Sequence, residues 1–192
     1  MDTPAPISDD LYGKVTAPGT IRFERLLPAP VERVWDYLTE SDLRGQWLAS
    51  GEMDLTEGAD CELFFQHSKL SLHDEDPPAK YAAFREGVAL ACMVLQVDEP
   101  FALALEWGTG RDASDVAFQL NAQDGQTRLV VIHSRLADHD ALVNVSAGWH
   151  AHLDILEDVL AHRAARPFWS THTAATAEYE QRLPQDADGA GL

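Results

Sequence analysis

The chain has 192 residues, enough for one domain and short for two. Hydrophobic residues make up 45% of it, so a core can form without disulfides or a metal. Against 14 Lys and Arg stand 32 acids, a net charge of −18 that repels phosphate backbones and anionic lipids and argues against nucleic acid or a membrane surface as partner.

Residues 1–19 are rich in Pro, Gly, Asp and Thr and read as a flexible tail. They lack the basic and apolar regions of a signal peptide, and no later run approaches the ~18 apolar residues of a membrane helix. From Thr20, Ile21, Phe23 and Arg25 alternate with Arg22, Glu24 and Leu26, the pattern of a first strand. Pro30 suits the first turn of a helix, and Val31, Val34, Trp35 and Leu38 form its apolar face. Ser41 caps a second short helix carrying Leu43, Trp47 and Leu48.

Strand signals follow. Met53 and Leu55 alternate with acids, and Cys61, Leu63 and Phe65 alternate with Glu62, Phe64 and Gln66. His73 to Pro78 is acidic with two prolines and reads as an exposed loop. Gly87 to Val97 is a nearly continuous apolar strand, and Phe101 to Trp107 returns the chain. Val116, Phe118 and Leu120 alternate, Asp124-Gly125 centres a hairpin, and Thr127 to Ser134 is the last strand. The period then changes. Trp149, Leu153, Leu156 and Leu160 make one apolar helix face, with His150, Asp154, Glu157 and Asp158 opposite. A further helical stretch of mixed polarity runs from Phe168 to Leu183. Pro184 to Leu192 reads as a second flexible tail, leaving residues 20–183 as one domain. A run of strands closed by a helix argues for an α+β fold with an antiparallel sheet.

These pieces, "PAPVERVWDYLTESDLRGQWL" (Pro28 to Leu48), "VDEPFALALEWG" (Val97 to Gly108), "TRLVVIHSRL" (Thr127 to Leu136) and "GWHAHLDILEDVL" (Gly148 to Leu160), resemble the SRPBCC (START/polyketide-cyclase-like) superfamily. The branch they resemble is the bacterial homologues of the C-terminal domain of the heat-shock chaperone ATPase activator. The resemblance implies a helix-grip fold: a curved seven-stranded antiparallel sheet around a long C-terminal helix, two short helices after the first strand, and a cavity between sheet and helix. The loop around residues 70–85 is longer than that family's usual one.

No Gly-rich phosphate loop, GxSxG elbow or HExxH motif is present, and no cofactor is implied. Cys61 and Cys92 lie far apart in apolar strands, which raises a thiol's pKa and reads as two small buried thiols of a cytoplasmic protein. Spacing does not settle whether they pair. His150 and His152 point to different helix faces and cannot share a metal. His67, His73, His139, His150, His162 and His172 read as solvated.

Strand parity assigns an inner face of Cys61, Leu63, Phe65; Leu103, Leu105, Trp107; Val116, Phe118, Leu120; and Leu129, Val131, His133. From these and the helix, Phe65, Trp107, Phe118, Val131, His133, Trp149, His152, Leu153 and Leu156 are the candidate ligand-binding residues. The same residues would also make a solid core. The first functional expectation is a binder of a small hydrophobic or aromatic molecule. The second is a chaperone-associated module that activates a heat-shock ATPase. A third is a cyclase or hydrolase with His133 or His152 as acid or base. Whether His133 is catalytic or simply hydrogen-bonded in the core stays open.

Overall fold

Period-two alternation builds one antiparallel sheet. The computed structural model describes residues 11–73 and 75–183. The elements run β1 (Lys14–Ala17), β2 (Thr20–Leu27), α1 (Val31–Thr39), α2 (Ser41–Arg44), β3 (Asp60–Phe65), β4 (Val88–Asp98), β5 (Ala102–Trp107), β6 (Ser114–Gln123), β7 (Gln126–Ser134), α3 (His139–Leu160) and α4 (Phe168–Arg182). Spatial order in the seven-stranded sheet is β1-β2-β7-β6-β5-β4-β3. The fold is α+β, an antiparallel open sheet with a long helix after it, consistent with the helix-grip architecture. The inner-face sets assigned by parity are buried together, with Trp107 half-buried at the margin. Trp149 on α3 meets this face, its ring 5.6 Å from Phe118.

Three expectations change. Lys14 to Ala17 does not belong to a loose tail: it pairs with β2, Lys14 opposite Arg22 and Val15 opposite Ile21. Pro18-Gly19, which reads as tail punctuation, is the hairpin turn, with Gly19 at φ 62°. Met53 and Leu55 form no strand; their side chains pack against the core while only Ser50 bridges to Phe64. Three alternating residues give half-burial without a ladder. The helix α3 has 22 residues and starts at His139, where the Asp138 carboxylate accepts the Ala141 N–H at 2.8 Å. The remaining residues of the expected tails, 1–10 and 184–192, lie outside the described residues.

The third change is the largest. The polar side of α3 does not face water: His150, Asp154 and Asp158 are 1%, 3% and 4% exposed. Helix α4 and the segment before it cover that side. Arg166 Nε and Nη2 donate to both oxygens of Asp158, at 2.8 and 2.9 Å, and its Nη1 donates to Asp154 at 2.8 Å. Arg163 adds a bond to Asp158 at 2.9 Å. From β2, buried Arg25 lies 3.6 Å from Asp154. Burial pushes the Asp154 carboxyl up despite Arg166 and Arg25, whereas the Asp158 carboxyl is held below its usual range because its Arg166 and Arg163 bonds outweigh burial. At the other end of α4, the Tyr179 hydroxyl accepts the Gly13 N–H at 2.8 Å, and Tyr12 packs against His150 at 4.9 Å.

Leu153 and Leu156 are fully buried against the sheet. Leu153→Ala and Leu156→Ala should each cost about 2–5 kcal/mol. Chemical denaturation of both variants checks this; a loss near zero at either position would mean that the helix phase is wrong.

Candidate functional site

An apolar space lies where β3, β4 and β5 run past α3. It is a cavity of about 330 Å³, walled by Phe65, Val88, Leu90 and Trp107 from the sheet and by Val145, Gly148, Trp149 and His152 from α3. Two irregular stretches close the remaining side. A 3-10 segment over Ala79–Phe84 contributes Tyr81 and Phe84, and the start of α4 contributes Phe168, Trp169 and His172. These two stretches hold each other: Tyr81 stacks on Trp169 at 5.4 Å. Glu75, from the acidic loop, accepts the Trp169 N–H at 2.9 Å and also bonds Ser170 through its hydroxyl. Helix α4 starts after Pro167, which has no side-chain cap, so Glu75 serves as its N-terminal acceptor from a distant loop.

Of the nine residues named from sequence, Phe65, Trp107, His133, Trp149 and His152 line this cavity. Phe118, Val131, Leu153 and Leu156 are buried on the same faces but deeper, in the packed core, and are not part of the wall. The additional wall residues His67, Tyr81, Phe84, Asn144, Phe168, Trp169 and His172 were not anticipated. The spacing Phe168/His172 and Tyr81/Phe84, aromatic at i,i+4 and i,i+3, is the one signal that marks them. His67 and His172, expected in water, stand among rings: His67 stacks on Phe168 at 4.3 Å and His172 meets Tyr81 edge-on at 5.1 Å. His150 is likewise buried, near Tyr179.

The histidines have definable roles. His133 Nδ1 accepts the Trp149 indole N–H at 2.9 Å, so its proton is on Nε2 and is donated to Ser114 Oγ at 2.8 Å. Both ring nitrogens are used inside the protein. His152 Nδ1 donates to the Trp47 carbonyl at 2.7 Å, which leaves Nε2 as an acceptor. That carbonyl is itself fixed, because the Trp47 indole N–H bonds the Tyr37 carbonyl at 2.8 Å. His67 Nδ1 is buried and has no hydrogen-bond partner among the described residues. At the rim, Lys80 and the Tyr81 hydroxyl both donate to Asn144 Oδ1, at 2.8 and 3.0 Å. Burial holds all these rings neutral, with His67, His133 and His172 pushed down to about 4 and His152 to about 3. The wall is therefore aromatic and uncharged, with fixed imidazole nitrogens as its polar points. Among the described residues no group of three or more His, Cys, Asp or Glu is placed to hold a metal.

A family model described as "Activator of Hsp90 ATPase homolog 1-like protein" matches residues 28–161. The solution NMR structure of the protein encoded by gene BPP1335 from Bordetella parapertussis is 41% identical, with a TM-score of 0.77 over 100% of both chains. The crystal structure of CalU16 from Micromonospora echinospora has a TM-score of 0.60 at 19% identity, over 88% of this chain and 93% of that one. EF2215 from Enterococcus faecalis, a conserved protein of unknown function, has a TM-score of 0.63 at 21% identity over 95% of both chains. These last two share the fold alone. No curated protein matches. No described helix is long and apolar enough to cross a membrane.

The buried histidines make a pH prediction. His67, His133, His150 and His172 sit at about 4 and His152 at about 3 in the folded protein. In the unfolded chain each returns to about 6.5. A depressed folded pKa means that the stability is whole above about pH 6.5 and is lost as pH falls from there toward about 4. Melting temperatures should therefore stay nearly level from about pH 7.5 to about 6.5 and drop from there to about pH 5, before most carboxylates titrate. A melting temperature that is flat or rising over that interval would mean the rings are not buried neutral.

Proposed function

The chain belongs to the Activator of Hsp90 ATPase homolog 1-like family, and from that premise we propose that it binds a small, largely apolar or aromatic molecule in the cavity between the sheet, α3 and α4. The observation that carries this reading is Gly148. It lies in the middle of α3, where glycine costs roughly 0.5–1 kcal/mol relative to alanine. A Cβ built there meets nothing within 4 Å, so no neighbour demands the missing side chain. What its absence provides is space at the cavity wall.

The chemistry of the wall describes the ligand. Its volume, about 330 Å³, is at the lower end of small-molecule sites. Rings of Phe65, Trp107, Trp149 and Phe168 favour a flat apolar body. Unpaired His67 Nδ1 and the free acceptor of His152 favour one polar head, a hydroxyl or carbonyl. An unmade buried hydrogen bond costs about 1–3 kcal/mol, which such a head would recover at His67. His133 takes no part in this contact, because Trp149 and Ser114 occupy both its nitrogens. That leaves it without a proton to exchange with a ligand and weighs against the cyclase reading through this residue. The activator reading rests on the family description, and the same experiment separates the two.

Planar aromatic compounds with a single hydroxyl or carbonyl should quench tryptophan emission saturably, and at a hundred times Kd they should stabilise the fold by about 2.7 kcal/mol. Gly148→Leu should remain folded and lose this binding, since the added side chain fills the space. His133→Leu should lose stability with affinity nearly intact. Glu75→Gln removes the carboxylate at the start of α4 and should speed ligand release. Absence of saturable quenching, together with faster ATP turnover by an added heat-shock chaperone, would replace the binder by the activator.

A further inference from the structure

A second reactive feature lies on the sheet and does not depend on the cavity. Strands β3 and β4 place Cys61 directly opposite Cys92. Residues so opposed have Cα atoms about 4.5–5.5 Å apart, inside the range that a disulfide spans. Both are free thiols, 9% and 4% exposed. The Cys92 thiol donates to the Leu90 carbonyl at 3.7 Å, and the neighbouring sulfurs shift each other, Cys61 being pulled down to about 7 and Cys92 pushed up. The guanidinium of Arg44 adds a positive charge that favours the thiolate of either sulfur. Arg44 is 2% exposed and fixed by bonds to the carbonyls of Ala49 and Thr39 at 3.1 and 2.8 Å. The two sulfurs are thus unequal: Cys61 is the more exposed, at 9% against 4%, and is the one pulled down, in contrast to the inert buried thiols expected from an apolar strand.

The approach to the pair is selective. Cys61 and Cys92 are among the residues lining an open depression of about 640 Å³, together with Glu52, Asp60, Glu62 and Glu106. Four carboxylates repel anionic reagents and leave an uncharged oxidant unopposed. We propose that Cys61 and Cys92 are a peroxide-responsive dithiol, with Cys61 the attacking sulfur and Cys92 the resolving one.

The chemistry balances with hydrogen peroxide as the oxidant. The Cys61 thiolate attacks one peroxide oxygen, the O–O bond breaks, and the departing hydroxide takes a proton to become water. Cys61 is now a sulfenic acid. The Cys92 sulfur attacks it, the S–O bond breaks, and hydroxide leaves with the Cys92 proton as a second water. Two thiols have given two electrons to one peroxide and become a disulfide across β3 and β4.

The test is intact mass of the full chain, native and unliganded, after dilute hydrogen peroxide, followed by denaturing alkylation. The expected product is a monomer lighter by two hydrogens that takes up no alkyl group and recovers both sites on reduction. In Cys92→Ala, a carbon-nucleophile probe of sulfenic acid should label Cys61. A dianionic aryl disulfide should modify the folded wild type much more slowly than peroxide does. The proposal is overturned if both thiols stay alkylatable, if oxygen atoms accumulate on sulfur without a disulfide, or if the bond forms only between chains. Because the wild type carries the primary measurement, a variant that fails to fold does not decide the outcome. Loss of ligand binding at the cavity would leave this result untouched.

Discussion

The architecture depends on the enclosure of α3. A helix on a sheet normally keeps one side in water. Here that side carries Asp154, Asp158 and His150 into the interior. A buried carboxylate costs several kcal/mol unless it is paired and hydrogen-bonded. Arg166 and Arg163 supply the pairing for Asp158, and both sit in the short segment between α3 and α4. The compensation therefore fixes where the chain reverses. Once Arg166 is bound to Asp158 and Asp154, Phe168, Trp169 and His172 follow within two helical turns and fall over the cavity. The outer wall of an apolar site is thus positioned by an ionic cluster on the far side of the same helix.

The cluster is not fully satisfied. Arg25 lies close enough to Asp154 for charge attraction, but Nε and Nη2 of Arg25 and Oδ1 of Asp154 make no hydrogen bond. Such a group contributes less to stability than a packed apolar side chain would. It does discriminate among arrangements. With Asp154 opposed by Arg25 from β2 and Arg166 from the α3–α4 segment, a helix rotated by one residue would strand both charges. Selection of one helix rotation is the role we assign to this cost.

Much of this was legible in the sequence. Alternation identified the inward residues of β3, β5, β6 and β7, and the spacing of Trp149, Leu153, Leu156 and Leu160 gave the side of α3 that meets them. Periodicity tells which face a residue is on, but not what covers that face. The polar side of α3 reads as solvent-facing whether water or a second buried layer lies against it. An arginine at position 25, in phase with Ile21 and Phe23, was the physical clue to a buried counter-charge. Depth is invisible for the same reason: Phe118 and Val131 share a face with His133, yet only His133 reaches the cavity. His67, Tyr81 and Phe84 lie in irregular segments, where no period exists to read. Contact between Glu75 and α4 joins residues 94 apart in sequence, beyond any local pattern.

The bond between Gly13 and Tyr179 fastens β1 to α4, and both partners lie outside residues 28–161, the span that the family model matches. A polypeptide trimmed to that span would keep the sheet's centre and α3. It would also present Asp154, Asp158 and His150 to water on one side and, on the other, a trough of Trp107, Trp149 and His152 covered by Tyr81 and Phe84 but not by Phe168, Trp169 and His172. The span that the family model matches and the span that encloses the cavity are therefore different lengths of this chain. The matched span supplies a basin; the flanking portions turn it into a container.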